Sequence, residues 1–424
     1  MRLSKYAKTY AYGKNRVILW SCLTTAAAAV DKAVLTGIKK GNLPENEERT
    51  LAELGFITGD LEKEREIAHR FIENSNNAKK RLNILAVLNL DCNLACKYCF
   101  EKDIKGMFYM GDDTAGRLLE FISSRLSDKK ELAISFYGGE PLLGLGLLKR
   151  LARDAGRIAR EKGVEFGFTL VTNGTMLTRK VVDELVPLGL RGAKVTLDGP
   201  KDTHDLYRPF KSGRGSFDSI FKNMMYASRK IKIGVGGNFD KQSFRRFPAL
   251  LDYMLDKGLT PGRIHSVKFD PIVEAGYFCN AGACEFLLEK WFIRASVMLR
   301  KEILKRGFKT ADIKPSACSI HSKDFFVVNH DGGLYKCPAF LGNERFRTGS
   351  LAEGITEYEA MYDLGAWKNK KCLNCEYLPL CYGGCKYIRF LRTGGAGGVE
   401  CKKEFLDKVL ESFVKQEIKN LPQN

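Results

Sequence analysis

The sequence predicts an α/β protein: a six-fold strand–helix repeat forming a partial, TIM-like (β/α)6 barrel, with a small α+β unit before it and a cysteine-rich segment after it. Three observations carry this. From residue 81 apolar runs of strand length alternate with amphipathic runs of helix length. The 80 residues before them are polar and of mixed charge, and lack that rhythm. Residues 315–401 are rich in Gly and Cys, with little room for a hydrophobic core.

The first unit, 1–80, has 14 Lys and Arg against 10 Asp and Glu, and a helical pattern over 61–74. It carries no catalytic signature and reads as an accessory domain or as a docking module for a partner peptide. Residues 17–30 have the apolar character of a signal-peptide core, but Ser21, Thr24 and Thr25 interrupt them. The repeat follows over 81–310. Its strands are expected at 82–90, 132–137, 165–171, 193–197, 231–235 and 266–271, and its helices at 114–127, 142–162, 178–188, 216–230 and 244–257. Helices between strands imply βαβ units and a parallel sheet, whose carboxyl ends are where chemistry collects. A long helix over 284–306 closes the repeat. The last unit, 311–424, needs staples in place of a core, and ends in an amphipathic helix over 402–419.

The chain has 424 residues, enough for two to three domains of about 150 residues each. Hydrophobic residues are 44% and charged residues 28%, which excludes disordered, collagenous and coiled-coil classes. No uncharged apolar run approaches the ~20 residues that a membrane span needs. The formal charge of +19 favours an anionic partner: an acidic peptide, a nucleotide, nucleic acid or a membrane surface. No RNA-recognition motif accompanies it. Thirteen cysteines in so long a chain point to metal or iron–sulfur binding in a reducing compartment.

The cysteines fall into two clusters. Directly after the first strand come Cys92, Cys96 and Cys99, spaced C-x3-C-x2-C with Tyr98 before the last. Three thiolates on one loop can hold three irons of a cubane cluster and leave the fourth iron open. Zinc with a distant fourth ligand is the other reading, weakened by a total of five His. The second cluster runs Cys318, Gly332, Cys337, then Cys372-x2-Cys375-x5-Cys381-x3-Cys385, then Cys401. A two-zinc ribbon is its structural alternative. Cys22 has no expected role.

C-x3-C-x-Tyr-C after the first strand of a six-fold βα repeat resembles the radical S-adenosylmethionine (SAM) superfamily. The other strand ends resemble it too: Gly138-Gly139-Glu140-Pro141 after the second, Asn173 after the third, Thr196 and Asp198 at the fourth. The resemblance implies a [4Fe–4S] cluster on Cys92, Cys96 and Cys99 whose open iron chelates SAM. Reductive cleavage of SAM then gives a 5′-deoxyadenosyl radical that abstracts hydrogen. It also implies cofactor contacts at Tyr98, Gly138, Gly139, Glu140, Asn173, Thr196 and Asp198. His204, Tyr207 and Arg208 follow the fourth strand; Arg208 is placed to meet the SAM carboxylate or to sit at the surface.

The seven later cysteines resemble the SPASM extension of peptide-modifying members. By that resemblance Cys318, Cys337 and Cys385 hold a first auxiliary [4Fe–4S] cluster, and Cys372, Cys375, Cys381 and Cys401 a second. The eighth ligand is Cys279, Cys284 or an open site. Members of this group make thioether or carbon–carbon links, or formylglycine, on peptides and proteins. In sulfatase maturases an Asp after the second motif cysteine serves as base; here Pro338 and Ala339 follow Cys337. Tyr335, Asp324, Glu274 and Asp270 are the substitutes. The departure, with the N-terminal unit, favours a maturase of ribosomally made peptides that forms a thioether or other crosslink. The alternative is an anaerobic sulfatase-maturating enzyme, and a third reading is a non-catalytic metal-binding module. The implied partners are a precursor peptide or protein and a low-potential donor such as flavodoxin or ferredoxin, with no membrane and no nucleic acid. Cytoplasmic, anaerobic chemistry is expected.

Overall fold

The computed structural model describes residues 1–78, 80–99, 101–272 and 288–420. The central sheet follows the chain. Strands β1 (Arg81–Asn89), β2 (Glu131–Gly138), β3 (Glu165–Thr172), β4 (Leu190–Thr196), β5 (Lys232–Phe239) and β6 (Ile264–Pro271) pair in sequence order, all parallel. Each lies within a few residues of its expected place. Two strands missing from the sequence reading extend the sheet at β1: β7 (Phe325–Val328), parallel to it, and β8 (Leu334–Tyr335), antiparallel to β7.

Burial shows why the strands form. In β2, Leu132, Ile134 and Phe136 are fully buried while the residues between them are not. The buried set packs outward against helices such as Leu145–Glu161, which offers Leu148, Leu151, Ala152, Ala155 and Ala159. The alternate set points into the barrel. This period of two is the signature of a sheet with one apolar face. Six strands laid flat would span about 24 Å at ~4.8 Å per gap. The loop after β1 and the end of β6 nevertheless line one cavity, so the sheet curves around it.

Residues 17–30, where Ser21, Thr24 and Thr25 already spoke against a signal-peptide core, fall in a three-stranded antiparallel sheet: Arg16–Ser21 and Ala27–Asp31 are strands, with Ala7–Tyr12 as the third. Elsewhere expectations are corrected. The helix expected over 61–74 is two helices, Leu61–His69 and Phe71–Ala78, meeting at Arg70. A short helix, Lys201–Tyr207, follows β4 where none was foreseen. The closing helix of the repeat is described over Lys290–Lys305; its expected start lies outside the described residues.

The C-terminal unit does have a core. Ile320, Val327, Tyr335, Phe340, Phe346 and Tyr362 are buried together with Val87 and Leu90 of the barrel's first strand and the loop after it. Aromatic rings supply most of that volume. The N-terminal unit shares another core with the cysteine-rich segment: Tyr6, Ile18, Trp20 and Cys22 pack with Trp367, Tyr377, Tyr382 and Leu410. Tyr382 adopts φ +41, stacks on Phe71 at 5.2 Å, and donates its hydroxyl to the Ala68 carbonyl at 2.7 Å. No helix among the described residues is long and apolar enough to cross a membrane.

Candidate active site

The carboxyl ends of the strands open onto a cavity of about 390 Å³. Cys92, Cys96, Tyr98 and Cys99 enter it from the loop after β1, with Glu101 and Lys105 just beyond. β2 contributes Tyr137 and Gly138, with Gly139 after it; β3 Thr172 with Asn173; β4 Lys194 and Thr196; β5 Gly236, Gly237 and Asn238; β6 Asp270 and Pro271. The sequence motifs from Cys92 to Thr196 thus meet at one place although they are spread over 105 residues of chain.

The cysteine loop is held from both sides. Asp91 accepts a 2.8 Å hydrogen bond from the Cys92 amide. The Ala95 and Lys97 amides donate to the Pro209 and Tyr207 carbonyls at 2.8 and 3.0 Å. Asn173 Nδ2 reaches Cys92 Sγ at 3.7 Å and Asn93 Oδ1 at 2.8 Å. Burial pushes the Cys92 and Cys96 thiols above their ordinary value, so metal binding here must displace protons.

The two glycines of the GGEP motif line the cavity and also permit a close approach of backbone to backbone. A Cβ on Gly138 would lie 2.2 Å from the Asn89 carbonyl oxygen, and one on Gly139 2.2 Å from that of Asp91. Gly139 and Glu140 amides donate to those same oxygens at 3.1 and 2.7 Å. The glycines therefore let the cysteine loop dock on the end of β2, with Gly138 at φ +145.

Glu140 and Asp198, expected at the cofactor, are both buried and are not among the residues that line the cavity. Glu140 is fully buried and accepts from Thr172 Oγ1 (2.8 Å), the Asn173 amide (2.8 Å) and the Leu142 amide (3.0 Å). It ties β2 to β3. Burial raises its pKa, against these donors. Asp198 accepts from the Asn238 amide at 2.6 Å and from the Tyr98 hydroxyl. Burial raises its pKa too, with Arg208 opposing. Arg208 Nη1 donates to Tyr98 Oη at 2.7 Å and lies 3.8 Å from Asp198. So Asp198 orients Tyr98, Arg208 and Asn238, and those three face the cavity.

The site also has polar atoms without partners. Arg208 Nε and Glu101 Oε1 are buried and make no hydrogen bond. Buried donors and acceptors are almost always satisfied, so a pair of orphans beside a cavity fits a polar ligand with both a carboxylate and donor groups. Together with three thiols on one loop, this donor set suits a cluster and SAM. Glu101 and Lys105 were missed by sequence reasoning; their signal was their place just after Cys99.

Of the candidate bases, Asp270 lies on the cavity wall, 2.7 Å from Lys268 Nζ. Asp324 is paired with Lys129 at 2.9 Å, and Tyr335 is buried in the aromatic core. Glu274, Cys279 and Cys284 lie outside the described residues. Cys22 is fully buried and pushed up to about 12 by burial, an inert thiol.

The later cysteines fall into two neighbourhoods. Cys337, pushed up to about 12 by burial, also feels the charges of Cys318 and Cys385. Cys375 feels Cys381 and Cys401, and Cys372 feels Cys401 and Cys375. Between Cys381 and Cys385, Tyr382, Gly383 and Gly384 all take positive φ. A Cβ on Gly384 would lie 1.9 Å from the Glu400 carbonyl oxygen, so this turn seats Cys385 beside the chain that carries Cys401. Among the described residues no three His, Cys, Asp or Glu side chains converge as a preformed metal site.

With this geometry in hand, comparison with known proteins agrees. Residues 87–252 match the model of the Radical SAM superfamily. That stretch of the chain is a radical SAM domain. It is 30% identical over 188 residues to the Fe-coproporphyrin III synthase of Methanosarcina barkeri, a match covering 44% of this chain but only 42% of that protein. It is 25% identical to the cysteine-type anaerobic sulfatase-maturating enzyme of Clostridium novyi, covering 70% of this chain and 85% of the relative. It is 23% identical to the radical SAM cyclopropyl synthase TigE of Paramaledivibacter caminithermalis, covering 90% and 89%.

Among solved structures, native anSMEcpe with bound AdoMet and the Kp18Cys peptide superposes with TM-score 0.63 at 19% identity, covering 80% of this chain and 99% of that one. Streptococcus suis SuiB bound to its precursor peptide SuiA gives 0.54 at 15%, covering 94% and 98%. At such identities these likenesses speak for the fold.

Proposed function

We propose that the chain is a radical SAM maturase of ribosomally made peptides with a SPASM-type C-terminal unit, forming a thioether or other crosslink. The observation that carries this is the far wall of the cavity. Ala339 and Tyr387 close it, and each stands two residues beyond a cysteine of the first auxiliary set, Cys337 and Cys385. A peptide in the cavity would lie between the two cysteine centres.

In this reading Cys92, Cys96 and Cys99 hold the SAM cluster, Cys318, Cys337 and Cys385 a first auxiliary [4Fe–4S] cluster, and Cys372, Cys375, Cys381 and Cys401 a second. The SAM cluster and SAM, when bound, supply one-electron cleavage and hydrogen abstraction. The chain's own residues do the rest. Arg208 presents its unpartnered Nε to an anionic ligand group, held in place by Tyr98 and Asp198. Gly138, Gly139, Asn173 and Thr196 shape the cofactor side of the wall. Asp270 is the carboxylate placed to take a proton from substrate. The clusters require a low-potential donor such as flavodoxin or ferredoxin. The N-terminal unit (1–80) is a peptide-docking domain: its strand Ala27–Asp31 has an outer edge to which an extended peptide can add.

The sulfatase-maturating alternative is favoured by the Clostridium novyi relative, but the position after Cys337 is proline and Ala339 faces the cavity. Mass spectrometry separates the two. Co-expression with a Cys-containing precursor peptide is expected to give a product lighter by two hydrogens that bears no aldehyde and whose fragments stay joined at the crosslink. Formylglycine on a Cys- or Ser-containing sulfatase peptide would support the alternative and overturn the crosslinking reading.

A further inference from the structure

A second concavity lies at the opposite end of the sheet, among the amino ends of β4, β5 and β6. It is a groove of about 660 Å³. Arg191, Arg229, Lys230, Lys232, Arg263 and Lys309 line it, and no carboxylate does. Arg191 is paired to Glu165 at 2.9 Å and to Glu131 at 3.5 Å. Arg263 is turned inward, donating to the Ser228 hydroxyl at 2.8 Å and to the Gly258 carbonyl at 3.1 Å. That leaves Arg229, Lys230, Lys232 and Lys309, all exposed, without an ion pair among the described residues. Burial and the neighbouring charge of Arg229 push the Arg263 guanidinium below its ordinary value, which is what crowding of like charge does. Nothing in the barrel's packing requires four uncompensated cations in one concavity.

We propose that this groove binds an acidic polypeptide segment, the acidic stretch of the precursor peptide on which the maturase acts. The identity of the peptide rests on the function proposed above; the anion-binding groove does not. Charge complementarity selects an anion. The free cations, Arg229, Lys230 and Lys232 at the start of β5 and Lys309 on the segment that bonds to Val267 of β6, form a row that suits an anion carrying several charges better than a single phosphate. His265 is the one aromatic ring in the lining and no Phe, Tyr or Trp stands beside it, which disfavours nucleic acid, since single strands bind largely by stacking successive bases on several aromatic rings. Position disfavours an electron donor. From Leu190 to Thr196 β4 runs about 20 Å at ~3.3 Å per residue, so the groove and the cysteine loop lie at opposite ends of the barrel. A protein delivering electrons needs the other end; a peptide held by one stretch and modified at another does not. An extended chain covers that length in about six residues, so the acidic stretch lies at least that far from the modified residue.

The test uses the full-length reconstituted protein and a fluorescein-labelled deca-glutamate peptide, read by fluorescence anisotropy. Binding is expected to weaken more than tenfold in R229E/K230E/K232E, and about half as much on a logarithmic scale in K230Q/K232Q, which perturbs folding less. It is expected to weaken steeply between 50 and 200 mM salt, as roughly ten-ångström screening of exposed charges dictates. Reductive cleavage of SAM is expected to be unchanged in both variants, since the groove is remote from the cysteine loop. Unchanged affinity in the triple variant would overturn the proposal. So would equal affinity for a labelled Gly/Ser decapeptide, or for single-stranded dT10, which would make the groove a nucleic-acid site. Loss of SAM cleavage in wild-type protein, with peptide binding intact, would instead strike at the radical reading alone.

Discussion

The barrel and the C-terminal unit are built on different physics. The barrel is held by apolar burial: aliphatic rows on six strands and the helices outside them form one continuous core. The C-terminal unit has short strands, two-residue pairings and left-handed turns, and its core is mostly aromatic rings gathered around cysteines. The first kind of structure is redundant, because many side chains share the load. The second depends on a few positions, and under the proposed cluster assignment its cysteines would serve stability and chemistry together.

Removing the first-cluster thiols tests the division most severely. A C92A/C96A/C99A variant is expected to lose all SAM cleavage and the iron of one cubane, while its far-ultraviolet circular dichroism stays native. Loss of fold would mean that the barrel, too, depends on its cysteines. Next comes a cavity in the barrel core. Phe136 is fully buried and meets Phe168 edge-on at 5.4 Å. Phe136→Ala is expected to destabilise by about 3–5 kcal/mol in urea unfolding with iron content unchanged. Gly384→Ala gives the converse pattern. The added Cβ collides with Glu400 and φ is +77. A loss of about 1–3 kcal/mol is expected, by the cost of strained backbone, together with loss of auxiliary iron.

The smallest effect is a pH dependence. His204 is buried between the Asp198 amide (3.1 Å) and the Ser216 hydroxyl (3.0 Å), and burial pushes its pKa down to about 3. The unfolded chain therefore binds a proton below pH ~6.5 that the folded chain refuses. Stability from this group is complete above that pH and is lost progressively as pH falls toward 3. Between pH 6.5 and 5 the loss is at most about 2 kcal/mol. His204→Asn is expected to flatten urea midpoints over that interval; an unchanged slope would place the acid sensitivity elsewhere, such as His321.

The same contrast explains what the sequence disclosed. The six strands were legible because each carries an apolar run bounded by turns, and the strand-end motifs because they follow those runs. The strand Phe325–Val328 was hidden: four residues carry too little pattern, and only its pairing with β1 makes it a strand. The core of residues 315–401 was missed because it is assembled from scattered aromatics with no period. Glu140 and Asp198 were picked out by their place after the strands, but only the fold shows that both are buried and bonded to residues of the cavity wall. Lys194 belongs to no motif and needed the barrel to close before it met the cysteine loop, whereas Glu101 and Lys105 were legible only as neighbours of Cys99.

The central claim is that Cys92, Cys96 and Cys99 seat a cluster that opens SAM. The direct measurement is anaerobic incubation of the reconstituted full-length protein with SAM and dithionite, followed by chromatography. Formation of methionine and 5′-deoxyadenosine in equal amounts, abolished in the triple cysteine variant, is the predicted result. Intact SAM in the presence of a fully loaded, reduced protein would contradict it.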